Sequence, residues 1–207
     1  MAPAAKQPTL SRGAGAKFQR ILDAAIEVIA QKGFHTARIS DIAGLAGVAD
    51  GTVYLYFKNK DEILMTAINT AFDAFVARAR AELRPLTSPV EKLRRLIHLH
   101  LETLGRNRPL AVVCQMELRQ SARFLAPFSN QRMIEYFDIA RQAIREGQEQ
   151  GLFREEMRDL DAARCLFGAV DEMVTSWVLA EHEYPLLDVA EPVADIILLG
   201  IERRLKR

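Results

Sequence analysis

A short run of polar and aromatic side chains, residues 47–60, is the part of the sequence best equipped to bind a partner. Thr52, Tyr54 and Tyr56 occupy alternate positions, so on a helix they spread over a face of about 200° instead of forming one stripe. A polar face this wide can meet both the floor and the walls of a DNA major groove. The spacing therefore predicts a short DNA-reading helix.

The residues around this short helix complete a helix-turn-helix pattern. Gly47 suits the positive φ that the tight turn needs, and Val48 would fill the small core between the two helices. Val53 and Phe57 take the side opposite the polar face and anchor the helix. Lys60 stands where the next helix begins, so it can point at a DNA phosphate beside the positive end of the helix dipole. The alternative is a small helical hairpin with no role in DNA binding.

Helices must position these side chains, because apolar residues recur with a 3.6-residue period along most of the chain. Breaks at Gly33, Gly47, Pro85, Gly151 and Pro185 separate the periodic segments. The sequence shows neither an alternating strand pattern nor an internal repeat. We therefore expect an all-α fold. Besides the short reading helix, the apolar period and its breaks predict helices near residues 16–31, 39–46, 60–83, 93–105, 109–126, 130–150, 159–181 and 189–205.

Composition and charge predict three parts in the chain. Residues 1–16 are rich in Pro, Ala and Gly and should form a disordered arm, either solvated or touching DNA. Residues 17–60 form a three-helix head, and residues 61–207 form a helical body whose first helix, 61–83, links the two. Residues 1–60 hold eight basic and four acidic side chains, a net +4, whereas the remainder carries −3. A basic head on an acidic body favours contact between the head and phosphates.

Composition and motif searches argue against several other classes of protein. The 207 residues are 49% hydrophobic and 27% charged, and no apolar run approaches the ~20 residues of a membrane span. Without an apolar signal core, and with Cys114 and Cys165 inside apolar helical patterns, the chain is expected to be cytoplasmic and reduced. His98 and His100 point about 200° apart on a helix and cannot share a metal. With no nucleophile and base in a known motif, we expect no enzyme, metal or cofactor.

The head resembles the TetR-type transcriptional repressors. The resemblance rests on the pattern Gly47-Val48-x-x-Gly51-Thr52-x-Tyr54-x-Tyr56-Phe57-x-x-Lys60-x-x-x-Leu64. Two upstream segments, Ile21-Leu22-x-Ala24-Ala25-x-x-x-Ile29-Ala30-x-x-Gly33-Phe34 and Ile42-Ala43-x-x-Ala46, are similar to the first and second helices of the same family. The resemblance implies a homodimer that reads a pseudo-palindromic operator on double-stranded DNA.

The same resemblance implies a role for each residue that is expected to contact DNA. By position in the motif, Thr52, Tyr56 and Lys60 should hold phosphates. The residues that should face base edges are Ser40, Asp50, Gly51 and Tyr54. Asp50 is unusual at a groove because it repels phosphate, although it can accept a hydrogen bond from a cytosine amine.

The body is similar to the acyl-CoA-responsive subgroup of the family, the repressors of fatty-acid degradation genes. That similarity rests on residues 110–121 together with Gly168-x-x-Asp171-Glu172-x-Val174-Thr175-x-Trp177. It implies a helical body that binds a small-molecule effector and dimerises through its last two helices. The last helix supports this reading from its own pattern, because its apolar residues nearly encircle it and must be buried on two sides.

A long acyl chain needs an apolar tunnel between helices, and the body offers side chains for one. The proposed lining is Met116, Phe124, Met133, Phe137, Phe167, Val170 and Trp177, with Gly168 leaving space. The alternative is that these residues are ordinary core. Arg119 and Arg123 lie four apart and could clamp a CoA phosphate, or could face solvent or pair with an acid. Asp171 stands with Glu172 inside an apolar helix; it could pair with an arginine as a switch, or face solvent or the dimer seam.

Three functional hypotheses remain open at this point. The first is a repressor that long-chain acyl-CoA releases from DNA. The second keeps the head but senses lipophilic drugs or another small molecule; a basic mouth at Arg119 and Arg123 argues against it. The third is a helical acyl-CoA carrier or enzyme without DNA binding. The complete reading motif and the lack of catalytic residues argue against this last possibility.

Overall fold

The computed structural model describes residues 12–119, 124, 132–182 and 184–203. The expected all-α fold is confirmed, and an isolated bridge between Phe153 and Glu202 is the one β contact within these residues. Two compact units divide between Ala67 and Ile68. The elements are α1 (Arg12–Lys32), α2 (Ile39–Ala46), α3 (Asp50–Tyr56), α4 (Lys60–Leu83), α5 (Pro89–Gly105), α6 (Arg108–Val112), a π-helical segment (Val113–Leu118), α7 (Met133–Glu149), α8 (Asp159–Leu179), a 3₁₀ turn (Leu186–Val189) and α9 (Ala190–Ile201).

The first helix begins earlier than its sequence pattern predicted. α1 starts at Arg12 instead of Ala16, so the last residues of the predicted disordered arm are helical. The helix can extend this far because no proline follows Pro8 until the body. The rest of that arm, residues 1–11, lies outside the described residues.

The second helix begins at the predicted residue, although Arg38 supplies no capping side chain. Asp41 in the first turn reaches back instead, and its Oδ2 accepts a hydrogen bond of 3.0 Å from the Arg38 backbone N–H. Its Oδ1 lies 2.9 Å from Nζ of Lys32, at the end of α1. The hydrogen bond from Lys32, followed by that from Arg38, holds the pKa of Asp41 below its ordinary value. One carboxylate thus joins α1 to the start of α2.

The turn between α2 and α3 has the geometry that its glycine predicted. Gly47 adopts a left-handed conformation with φ of 65°, which costs glycine little because it has no Cβ. The Val48 N–H donates to the Ala43 carbonyl at 3.0 Å, and the Gly47 N–H donates to the Gly44 carbonyl at 3.2 Å. This pair of bonds is a Schellman motif, which ends α2 and turns the chain into α3.

The centre of the body is α5, which packs against α7, α8 and α9. Its apolar positions Leu93, Leu96, Ile97 and Leu101 are fully buried. Ser88 caps the helix by accepting a hydrogen bond of 3.4 Å from the Glu91 N–H. Contacts with three other helices make α5 the scaffold on which the other elements of the body are arranged.

The segment after Pro109 departs from the single α-helix that its sequence predicted. Asn107 caps α6, accepting a hydrogen bond of 3.0 Å from the Leu110 N–H, but the α-helix ends at Val112. Residues 113–118 then form a π-helical segment. A π turn is wider than an α turn and changes the direction of its side chains, and such turns are frequent at functional sites.

The last helix, α9, presents two different faces. Ala190, Ala194 and Leu198 are buried, whereas Ile196 and Leu199 are 73% and 66% exposed. The predicted end of this helix at Leu205 lies outside the described residues. Among the described helices, none is both long enough and apolar enough to cross a membrane.

Candidate nucleic-acid interface and ligand cavity

The outer face of α3 and the start of α2 form an exposed polar surface, called here the reading surface. Asp50, Gly51 and Tyr54 are exposed, and Thr52 is half-buried. Ser40, in the first turn of α2, is also exposed. A Cβ on Gly51 would meet no atom within 4 Å, so this position is open to the outside. The surface carries hydroxyl, carboxylate and aromatic groups that can contact a groove.

Leu55 is a member of the reading surface that the sequence argument missed. It is 83% exposed, more than Tyr54 at 58%. On a helix it follows Gly51 by one turn and therefore lies in the middle of the exposed face. An exposed leucine there can make apolar contact with a thymine methyl group. Its position on the helical face, one turn after Gly51, was the available signal, but only polar and aromatic residues were assigned to DNA.

Tyr56 is held by the core of the head instead of being free on the surface. Its ring lies edge-on to Phe18 of α1, with centroids 6.0 Å apart. Phe18 also stacks on Phe57 at 5.1 Å, and Phe57 is buried. The Tyr56 ring is therefore fixed in direction, which suits a hydroxyl that positions the head on a phosphate.

Lys60 does not point outward as its predicted phosphate contact requires. Its Nζ donates hydrogen bonds to the carbonyls of Phe34, His35 and Ala37, the last two at 3.2 Å and 2.6 Å. The ammonium also lies 4.6 Å from the centroid of the Phe34 ring. Burial lowers the pKa of Lys60. The structure corrects this prediction, because an ammonium has three N–H donors and all three are directed at carbonyls.

The body encloses a cavity of about 410 Å³, within the range of small-molecule sites. Five parts of the chain contribute to its wall. The lining residues are Ile68, Ala71, Phe72 and Phe75 of α4; His100, Thr103 and Leu104 of α5; Leu110, Cys114, Gln115, Leu118 and Arg119 from α6 through the π-helical segment; Met133 and Tyr136 of α7; and Phe167 and Asp171 of α8.

Aromatic rings make up one part of the cavity wall. Tyr136 is almost fully buried, stacks on Phe75 with centroids 5.8 Å apart, and meets Phe167 edge-on at 5.2 Å. His100 lies 5.7 Å from the Tyr136 ring. Burial lowers the pKa of His100 to about 4, so the ring is neutral near pH 7. This part of the wall is therefore suited to apolar ligand groups.

A polar cluster closes another part of the wall. The Asp171 carboxylate forms an ion pair with Arg119, and its Oδ1 accepts a hydrogen bond of 2.8 Å from Gln115 Nε2. Thr175 Oγ1 donates to Gln115 Oε1 at 3.1 Å. The cluster joins α8 to the π-helical segment. Of the alternatives for Asp171, pairing with an arginine is the one present, and the arginine is Arg119.

Comparison with known proteins gives the family of the chain. Residues 21–66 match the model of bacterial regulatory proteins of the tetR family, and residues 68–200 match that of the C-terminal region of YsiA-like proteins. The chain belongs to the TetR family of bacterial regulators. It is 37% identical over 188 residues to the fatty acid metabolism regulator protein of Bacillus subtilis strain 168, a match that covers 91% of this chain and 97% of that protein.

Two solved structures of such regulators resemble this TetR-family chain closely. The fatty acid degradation regulator FadR from Bacillus halodurans is 38% identical, with a TM-score of 0.83, over 89% of this chain and 99% of that one. FadR from Bacillus subtilis in complex with stearoyl-CoA is 37% identical, with the same TM-score and the same coverage of both chains. The resemblance predicted from the sequence is confirmed.

The cavity of this TetR-family protein includes four of the predicted ligand residues. Arg119, Met133, Phe167 and Asp171 line it. Arg123, the second half of the predicted phosphate clamp, lies outside the described residues. Arg119, the described member of the predicted clamp, forms an ion pair with Asp171.

The other predicted ligand residues are not in the described cavity wall. Phe137 packs edge-on behind Phe167, with centroids 5.8 Å apart. Trp177 donates from Nε1 to the Tyr184 carbonyl at 2.8 Å and stacks against Arg108. A Cβ on Gly168 would meet no atom within 4 Å, so no neighbouring group depends on the missing side chain for a close approach. Met116 and Phe124 also lie outside the wall.

Residues of α4 and α5 also line the cavity, and the sequence did not predict them as ligand residues. Phe72, Phe75 and His100 lie on apolar faces that the sequence assigned to ordinary core. Helical periodicity shows which face is buried but not whether it meets another side chain or an empty space. His100 was the available signal, since a histidine on a buried face is a polar group that needs an explanation.

Proposed function

We propose that this TetR-family protein is a repressor that long-chain acyl-CoA releases from DNA, and that it controls fatty-acid degradation genes. The observation that carries the proposal is an apolar, aromatic-walled cavity with a charged edge, in a chain 37% identical to a regulator solved with stearoyl-CoA. Apolar walls suit an acyl chain, and a charged edge suits its polar end. We further propose that the protein works in the cytoplasm, where a bacterial operator lies, and not as an enzyme.

The proposed DNA contacts follow the reading surface. Tyr54 and Leu55 are the most exposed large side chains of α3 and would meet base edges together with Ser40, Asp50 and Gly51. In addition, Thr52 and Tyr56 would hold phosphates. Asp50 would favour a cytosine at its position, because a carboxylate accepts from the cytosine amine and repels phosphate.

Coupling between ligand and DNA would run through α4. This single helix begins at Lys60, which is bonded to the α1–α2 connection, and its later residues Ile68, Phe72 and Phe75 line the cavity. A ligand that fits the cavity only when α4 is displaced binds one arrangement of the helix more tightly. The difference in ligand-binding free energy between the two arrangements of α4 would drive the release of DNA.

A second copy of the chain is the proposed partner of the exposed apolar side chains on α8 and α9. Leu179, Ile196 and Leu199 are each more than 60% exposed. Exposed large apolar groups concentrated on two helices mark an interaction surface. Dimerisation through these helices would place two heads on the two halves of a pseudo-palindrome.

The test is fluorescence anisotropy with labelled DNA from upstream of the protein's own gene. The wild-type protein should bind this DNA, and a long-chain acyl-CoA should release it while the matching free fatty acid does not. The control variant Tyr54→Ala keeps the cavity but should weaken DNA binding at least about tenfold, because each good base contact contributes about 1–3 kcal/mol.

The outcomes separate the parts of the proposal. Tight DNA binding that acyl-CoA does not change would support a repressor but reject acyl-CoA as its effector. The alternative would then be a repressor that senses lipophilic drugs. Failure to retain DNA even at low salt would reject the repressor and favour an acyl-CoA carrier. Unchanged DNA affinity in Tyr54→Ala would reject the assignment of the reading surface.

A further inference from the structure

The charges in the cavity wall bear on the chemical form of ligand that the cavity accepts. Among the described lining residues, Arg119 and Asp171 form an ion pair with each other. His100 is neutral because burial lowers its pKa to about 4. The described wall therefore contains no unbalanced positive charge that could receive an anion.

The ion pair lies where the cavity wall meets solvent. The side chain of Arg119 is 42% exposed, whereas that of Asp171 is 10% exposed. The guanidinium thus faces outward and the carboxylate faces inward. An amphiphilic ligand should place its polar end here, because the aromatic part of the wall offers apolar surface for its chain.

Asp171 is held in this position by neutral partners as well as by Arg119. Gln115 Nε2 donates to Asp171 Oδ1 at 2.8 Å, and Thr175 fixes the other end of that amide by donating to Gln115 Oε1 at 3.1 Å. The carboxylate therefore cannot swing away from the cavity without breaking a hydrogen bond inside a largely apolar region, which is costly.

We propose that Asp171 determines specificity by making the cavity accept a neutral acyl thioester and reject a free fatty acid. This inference rests on the proposed function. An ionised end group beside Asp171 would bring a second negative charge to a region of low dielectric where Arg119 is already paired. A thioester carbonyl adds no charge there, and it can accept a hydrogen bond from Arg119 or Gln115.

Two probes isolate this effect from the CoA group: laurate and its S-methyl thioester. They share one acyl chain and differ in the charge of the end group. Calorimetric titration of the full-length wild-type protein near pH 7 should show the thioester binding at least about tenfold more tightly than laurate, since juxtaposed like charges are strongly unfavourable. In Asp171→Asn this ratio should fall to about threefold or less, because laurate binding strengthens.

Two further variants act as controls. Glu172→Gln removes the same charge from the adjacent exposed residue, whose carboxylate accepts from Ser176 Oγ at 3.3 Å, and should keep the wild-type ratio. Arg119→Gln removes the counter-ion of Asp171 and should increase the ratio of thioester affinity to laurate affinity. Circular dichroism spectra and thermal midpoints establish that each variant is folded.

The outcomes distinguish this inference from the function on which it rests. If Asp171→Asn keeps the wild-type ratio while lauroyl-CoA still binds, the inference is overturned and the proposed function stands. If the wild-type protein binds neither lauroyl-CoA nor the thioester, both are overturned. If Asp171→Asn does not fold, Arg119→Gln decides, and an unchanged ratio in that variant overturns the inference.

Discussion

Lys60 ties the first residue of α4 to the connection between α1 and α2. Its ammonium donates to three carbonyls from residues 34–37 and lies over the Phe34 ring. Carbonyls in a connection between helices have no partner from a helical ladder, so a donor for them is stabilising. This single side chain therefore holds the start of α4 against that connection.

Replacing Lys60 by Ala should lower the free energy of unfolding by about 1–3 kcal/mol, because carbonyls near the protein interior lose their donor. The salt dependence of DNA binding should stay the same, since the ammonium faces the protein. Lys58→Ala removes the same charge from an exposed position and serves as the control for stability. Chemical denaturation and anisotropy over a range of salt concentrations give both quantities. If the slope of log DNA affinity against log salt concentration became flatter by about one unit in Lys60→Ala while stability stayed the same, a phosphate contact would be supported instead.

At the scale of elements, α7 depends on a glycine that leaves room for a neighbouring ring. Phe153 is fully buried, and a Cβ on Gly147 would lie 2.1 Å from its Cδ2. The Leu152 N–H and the Phe153 N–H both donate to the Gly147 carbonyl, at 2.8 Å and 3.1 Å. The end of α7 and the loop after it are therefore packed around this one position.

Gly147→Ala should destabilise the protein by about 1–3 kcal/mol or more, because a ring with no free space must move. Gly168→Ala places the same methyl group in another helix of the body, where no atom lies within 4 Å. That control should be neutral or stabilising by up to about 1 kcal/mol, since alanine favours a helix. Denaturant unfolding curves measure both. Equal losses of stability in the two variants would contradict the packing argument.

The proposed dimer would bury the exposed apolar side chains of α8 and α9. Ile196 and Leu199 point away from the buried face of α9, and Leu179 stands at the end of α8. Apolar groups this exposed cost free energy in water, which burial against a second copy would recover. Two copies would also bind two half-sites at once, so that dimerisation raises affinity for DNA.

Ile196→Glu should convert the dimer to a monomer and weaken binding to the complete operator at least about tenfold, because the second head loses its high effective concentration. Ile134→Glu introduces the same charge at an exposed isoleucine on α7 and should leave both properties unchanged. Analytical ultracentrifugation gives the mass, and anisotropy gives the affinity. A dimer that persists in Ile196→Glu would place the interface elsewhere.

The helical fold and the family could be predicted from the sequence alone, and so could the turn that leads into α3. Local signals carry this information: Gly47 fixes the turn, and the apolar period sets the bounds of α2 and α4, which agree with the structure. The sequence also predicted a cavity in the body and four of its lining residues. The turn and the helix bounds depend on residues close together in the chain, for which spacing is a sufficient guide.

Packing between distant parts of the chain determines which buried faces surround the cavity and where charged groups point. Gln115 and Asp171 are 56 positions apart, so no local pattern pairs them. Lys60 faces carbonyls from residues 34–37, whereas its place at a helix start suggested a phosphate. Periodicity determines that a face is buried, but what it is buried against depends on how distant helices pack, and the chemistry of the cavity follows from that packing.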